Sequence, residues 1–139
     1  MHLNYDCLRD VLIELEKRLD IVNSSELTGL VSLRFKYLSI DRLCSFDELS
    51  PYPAEDVFYA IHNLHQAGFI EADIEIVSGI VSRCVVCDIT HPGHEFLRSI
   101  KDETIWTLIK RKYGPQINAS LPLLQDVACK LILARIGLS

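Results

Sequence analysis

The chain has 139 residues, 49% of them hydrophobic and 24% charged, with a formal net charge of −5. That length suits a single domain with one proper core, and the hydrophobic share excludes wholesale disorder. The negative balance argues against a protein that coats nucleic acid or acidic membranes without specificity, since such proteins carry an excess of Lys and Arg. The N-terminus M-H-L-N-Y-D has neither a basic start nor an apolar run, so no signal peptide is read. Cys7, Cys44, Cys84, Cys87 and Cys129 are odd in number and scattered, unlike a secreted disulfide framework. The expectation is a cytoplasmic protein with reduced thiols.

Asn4 can cap a first helix, in which Cys7, Leu8, Val11, Leu12, Leu15 and Leu19 recur at helical spacing. Asn23 to Gly29 is loop chemistry. From Val31 to Ser39, Leu33, Phe35 and Tyr37 alternate with Ser32, Arg34, Lys36 and Leu38, which predicts a half-buried strand. Ser45-Phe46-Asp47-Glu48 has the form of a capping box and predicts a short helix ended by Pro51 and Pro53.

Val57, Ile61 and Leu64 then give a helix over Ala54 to Gln66 its apolar face, and Gly68 stands where a helix end favours positive φ. Phe69 to Val77 alternates as a strand, Ser78-Gly79 turns the chain, and Ile80 to Ile89 returns as a second strand. Thr90 can cap a helix bearing Phe96, Leu97 and Ile100, and Asp102 a continuation bearing Trp106, Leu108 and Ile109. Gly114-Pro115 breaks that continuation, and Ser120 opens a last helix. Its apolar run is interrupted by Gln125, Asp126, Lys130 and Arg135, so it falls short of a membrane span.

The expected fold is mainly α with a small antiparallel β-hairpin. Two helices joined by a turn and followed by a hairpin form a winged helix-turn-helix, here with helical N- and C-terminal extensions. One domain spans 1–139, with its core over about residues 31–101 and a helical extension over about 102–139.

Three stretches also resemble a known family. They are L-N-Y-D-C-L-R-D near the start, A-E-D-V-F-Y-A-I-H-N-L-H-Q-A-G-F-I-E-A in the middle, and D-I-T-H-P-G-H-E-F-L-R-S-I-K-D-E-T-I-W. The tail S-L-P-L-L-Q-D-V-A-C-K-L is similar as well. The family is a bacterial domain of unknown function found mainly in phages, prophages and mobile elements. The most specific residues are Thr90, Gly93, His94, Glu95, Phe96, Leu97, Ile100, Asp102 and Trp106. The chain departs from the family's pattern at Ala60, where His is usual, at His91, where Trp is usual, and at Pro53, where a Ser-like cap is usual. The stretch between Leu19 and Ser45 is longer than usual. The resemblance implies a winged-helix-like fold and a setting on mobile DNA, and it supplies no reaction.

Cys84, Cys87, His91 and His94 are zinc-capable residues, but their spacing is poor for a finger. A zinc-binding C-x2-C sits on a tight turn, whereas Val85-Val86 favours a strand whose residues three apart point to opposite faces. His62 and His65 lack a third ligand, and Glu95 reads as a carboxylate placed at a helix N-terminus. No phosphate-binding glycine loop, nucleophile elbow or H-E-x-x-H motif is present. The chain is therefore read as a non-enzyme with no cofactor and no metal.

Two partner classes remain. The helix Ala54–Gln66 carries Glu55 and Asp56 in its first turn and no Lys or Arg. The hairpin sets Glu71, Asp73, Glu75 and Asp88 against Arg83 alone. Both elements are net acidic, which disfavours phosphate contacts. In the alternative reading, a dimeric DNA-binding regulator, Tyr59, His62, Asn63, Gln66 and Arg83 contact DNA. Arg34, Lys36, Lys110, Arg111 and Lys112 would add phosphate contacts from elsewhere. The preferred reading is a protein-interaction or regulatory module with a host or phage partner. It would also self-associate through the wide apolar arc of the last helix, at Leu124, Val127, Leu131, Ile132 and Ile136.

Overall fold

A computed structural model of the chain describes residues 3–19, 21–23, 33–35, 37–113, 126–128 and 130–131. Its elements in chain order are α1 (Tyr5–Arg18), β1 (Ile21–Asn23), β2 (Leu33–Phe35), β3 (Leu38–Ser39) and α2 (Ile40–Cys44). There follow α3 (Ala54–Gln66), β4 (Ile70–Val77), β5 (Ile80–Ile89), α4 (His91–Lys101) and α5 (Glu103–Tyr113). Beside the helices, β3, β5 and β4 form a small antiparallel sheet in that order and β1 and β2 a separate ladder, so the fold is mixed α/β, with the expected antiparallel hairpin as β4 and β5.

The caps explain most helix starts. The Asn4 side chain accepts from the Cys7 N–H, that of Thr90 from the Gly93 N–H, and Asp102 from the Thr104 and Ile105 N–H groups. Each satisfies donors that the first helical turn leaves open. The chain leaves α3 through Gly68 at φ +79° and turns the hairpin through Ser78 and Gly79 at φ 52° and 78°.

Two sequence expectations need correcting. The short helix lies before Ser45, not after it. Ser39, extended at φ −77° and ψ 159°, caps α2, whereas Ser45 is already αR and its hydroxyl donates to the Arg42 carbonyl at 2.5 Å. The Phe46 carbonyl then accepts from Leu49 and Ser50, a single turn rather than a helix. The strand over Val31 to Ser39 is also broken in two. β2 pairs with β1 in a separate ladder, while β3 pairs with β5. Because the two pieces belong to different sheets, one alternation cannot run through both. Leu38 is buried and Tyr37 is exposed, the reverse of that alternation.

The core is one cluster. Leu8, Leu12 and Leu15 of α1 meet Ile61 and Leu64 of α3, Phe96 and Leu97 of α4, and Leu38 and Val86 of the sheet. Phe69 stacks on Phe96 with ring centroids 4.7 Å apart, worth about 1 kcal/mol beyond area burial. Two register shifts in the hairpin, at Glu71/Ala72 and Glu75/Ile76, set its apolar residues opposite one another. Ile89, Val86, Cys84 and Val81 thereby face Ile70, Ala72, Ile74 and Ile76, a match that plain alternation along β5 would not give.

Candidate functional site

α3 and the hairpin present the surface singled out in the sequence. Tyr59, His62 and Asn63 are half-buried and Gln66 is exposed. Asn63 Nδ2 donates back to the Tyr59 carbonyl at 2.7 Å, and His62 stacks on Phe58 at 5.9 Å between ring centroids. Of the proposed base-reading residues, Asn63 and His62 are thus engaged within their own helix.

The charges settle into pairs. Arg83 Nη1 donates to Asp73 Oδ2 at 2.9 Å, and Nη2 lies 3.7 Å from Glu75 Oε2. These carboxylates raise the Arg83 pKa above its ordinary value, hydrogen bonding to Asp73 being the largest cause. Glu71, Asp73 and Glu75 alternate onto one face of β4, so the outer face of the hairpin is acidic. Glu55 is exposed at the start of α3, whereas Asp56 is half-buried and receives a long 3.5 Å contact from Asn4. The tip of the hairpin is apolar and open, with Ile80 at 70%, Ile76 and Val77 at 53%, and Val81 at 38% exposure.

Cys84 is buried opposite Ile74, while Cys87 falls at a register shift without a cross-strand partner and is half-buried. Burial first of all pushes the Cys84 thiol up to about 11, and it raises Cys87 as well. His91 Nε2 lies 3.1 Å from Glu95 Oε1, and His94 is exposed with its backbone N–H bonded to the Thr90 carbonyl. No cluster of three or more metal-capable side chains occurs among the described residues.

A polar cleft of about 400 Å3 lies between α1 and α5, lined in part by Asp6, Arg9, Asp10, Tyr52, Trp106 and Lys110. Most of these groups are engaged with one another. Asp6 accepts from Trp106 Nε1 at 3.0 Å and from Lys110 at 3.1 Å, and Asp10 accepts from the Tyr52 hydroxyl at 2.6 Å. Arg9 donates to the Ile100 and Lys101 carbonyls, closing the end of α4. The cleft is a structural tie, and it accounts for the N-Y-D-C-L-R-D and D-x-x-x-W stretches. Sequence reading did not pair them, because the partners lie about a hundred residues apart.

The basic residues read as auxiliary contacts fare variously. Lys110 is held by Asp6, and Arg111 is exposed. The side chains of Arg34, Lys36 and Lys112 lie outside the described residues. In the last helix Ala128 is fully buried, and Val127 and Leu131 pack partly buried against the core. Leu124, Ile132 and Ile136 lie outside the described residues.

Caps, paired charges and an apolar-tipped hairpin thus define a mixed α/β domain with a small antiparallel sheet. The chain belongs to the family described as "Hypothetical protein (DUF2513)", whose model matches residues 2–115. That match takes in α1 to α5 and stops short of the last helix. The chain is also similar to an uncharacterized protein of Haemophilus influenzae strain Rd, 29% identical over 133 residues that cover 95% of this chain and 96% of the relative. No solved structure matches. Among the described residues no helix is long and apolar enough to cross a membrane.

Proposed function

We propose that this chain is a winged helix-turn-helix protein of phage or mobile-element type that works by binding a protein partner, without catalysis. The order α1, β3, α2, α3, β4, β5, with the β1–β2 ladder inserted between α1 and β3, and the sheet order β3-β5-β4 support the winged-helix reading, with β4 and β5 as the wing. The observation that carries the functional reading is the state of Arg83. It is the one Lys or Arg between Ala54 and Ile89, and Asp73 and Glu75 already hold it. A surface that reads duplex DNA needs cations on phosphates. This one offers carboxylates and an apolar tip, which suits a partner protein. The setting on mobile DNA that the sequence resemblance implies makes that partner a host or phage protein.

The chain also self-associates in this reading, through the apolar arc of the last helix at Leu124, Val127, Leu131, Ile132 and Ile136. Val127 and Leu131 are only partly buried, which is consistent with a further contact on that face. A monomer by light scattering at high concentration would count against this.

Partner capture from host and phage-infected lysates tests the main reading, with nuclease present and absent. A protein retained by the native chain, insensitive to nuclease and lost on Val77→Ser with Ile80→Ser, is the expected result. Capture that disappears with nuclease would overturn it.

A further inference from the structure

β5 is the central strand of its sheet, yet its neighbour β3 is only 2 residues long. β3 pairs with Val86 and Val85 and then ends, because Ser39 accepts from the Arg42 N–H and starts α2. Among the described residues no strand covers that side of β5 from Ile80 to Cys84. In an antiparallel ladder alternate residues direct their N–H and C=O groups to each side. The open stretch therefore presents backbone donors and acceptors to whatever lies beside it.

A groove of about 520 Å3 runs along this edge. One wall is the consecutive run Val81 to Val85, and the other includes Ile40 and Asp41 of α2 and Ala54, Glu55 and Phe58 of α3. Strand side chains alternate between faces, so a run of neighbours lines one groove through its backbone edge. Ile40, Phe58 and Val81 make the groove apolar, and the exposed Asp41 and Glu55 make its rim acidic. Arg83 borders it too, but its guanidinium is held by Asp73 and Glu75 on the outer face of the hairpin.

The geometry points to a strand-addition site: an extended segment of a partner protein pairs with the open β5 edge, carrying an apolar side chain and a Lys or Arg two residues from it. Residues i and i+2 of an added strand share a face and stand roughly 6.5 Å apart. The apolar one enters beside Phe58, and the cation meets Asp41 or Glu55. Charge selects this occupant over a second copy. Each chain carries a net −5, and two copies edge to edge would bring their acidic rims together. This names the partner chemistry of the interaction surface proposed above and rests on that reading.

The probe is the capped peptide Thr-Lys-Thr-Ile-Thr-Lys-Thr, titrated into the full 15N-labelled chain while amide shifts are followed. Shifts should centre on Val81 to Cys84 and on Glu55 and Phe58. The same peptide N-methylated on both sides of its Ile should bind about tenfold more weakly, because its edge hydrogen bonds are blocked. A peptide with Glu for both Lys should weaken similarly, and the native peptide should bind Asp41→Lys with Glu55→Lys roughly fivefold more weakly. Absent shifts at millimolar peptide, shifts centred elsewhere, or equal affinity for the N-methylated peptide would each overturn the site. So would movement of the same amides on diluting the chain alone, which would put a second copy there. Tip-dependent partner capture alongside a failed peptide titration would remove the groove proposal alone and leave the broader reading standing.

Discussion

Gly93 sits directly against the Phe69 carbonyl: a Cβ at position 93 would collide with that oxygen and lie 2.8 Å from Ile89 Cγ2. The same carbonyl accepts the Thr90 N–H at 3.0 Å, and the Thr90 hydroxyl donates to the Gly68 carbonyl at 2.6 Å. The first turn of α4 is thus fastened to the start of the hairpin. The T-x-x-G part of the family-like motif is a packing and capping device.

Gly93→Ala should cost about 3 kcal/mol or more, because the obstructing atom is backbone and cannot swing away. Thr90→Ala should cost about 1–2 kcal/mol through loss of the cap, and Thr90→Ser should restore most of it. Urea denaturation of the three variants checks the order. A Gly93→Ala protein as stable as the native chain would contradict the account of this junction.

Arg9 and Asp6 dock α1 onto the end of α4 and onto α5. Arg9→Met should lose about 2 kcal/mol with the two carbonyl contacts, and Lys should not replace the fork. Asp6→Ala leaves the 5% exposed Trp106 without the carboxylate that its indole N–H uses. Because Trp106 is the single tryptophan, its emission should shift in Asp6→Ala and stay near native in Asp6→Asn.

Burial holds the Cys84 thiol up near 11 and the Cys7 thiol near 12, against an ordinary value of 9.0. A raised pKa means that the folded state keeps its proton while the unfolded state has lost it. The stabilisation from these thiols is therefore complete below about pH 9 and is lost as pH rises through 9 towards 11 and 12. Denaturation midpoints should fall over this range, and Cys84→Ala should flatten the fall. At pH 8 iodoacetamide should label Cys44 and Cys87 before Cys7 and Cys84, an order that mass spectrometry reads directly.

The sequence made the local chemistry legible. Asn4, Thr90 and Asp102 cap their helices, Gly68 ends α3 with positive φ, and Ser78-Gly79 turns the hairpin, because such signals act within a few residues. It misled where two signals competed. Ser39 and Ser45 both suit a helix N-terminus, and the one already in extended backbone capped α2. The assignment of β2 and β3 to different sheets was hidden because alternation does not say which sheet a strand joins. The β5 groove was illegible for another reason. It exists because β3 stops early, and the length of a neighbour leaves no mark on β5 itself. Its one sequence trace is I-V-S-G-I-V, a turn flanked by apolar residues on both sides.

The most direct test of the central claim is fluorescence anisotropy of the full chain against mixed and phage-derived duplex DNA across a salt series. With Arg83 occupied by Asp73 and Glu75 and no other Lys or Arg on α3 or the hairpin, the account predicts no saturable binding at physiological salt and no sequence preference at low salt. Tight binding to one sequence that weakens steeply as salt rises would contradict it, and would hand Tyr59, His62, Asn63 and Gln66 back to DNA.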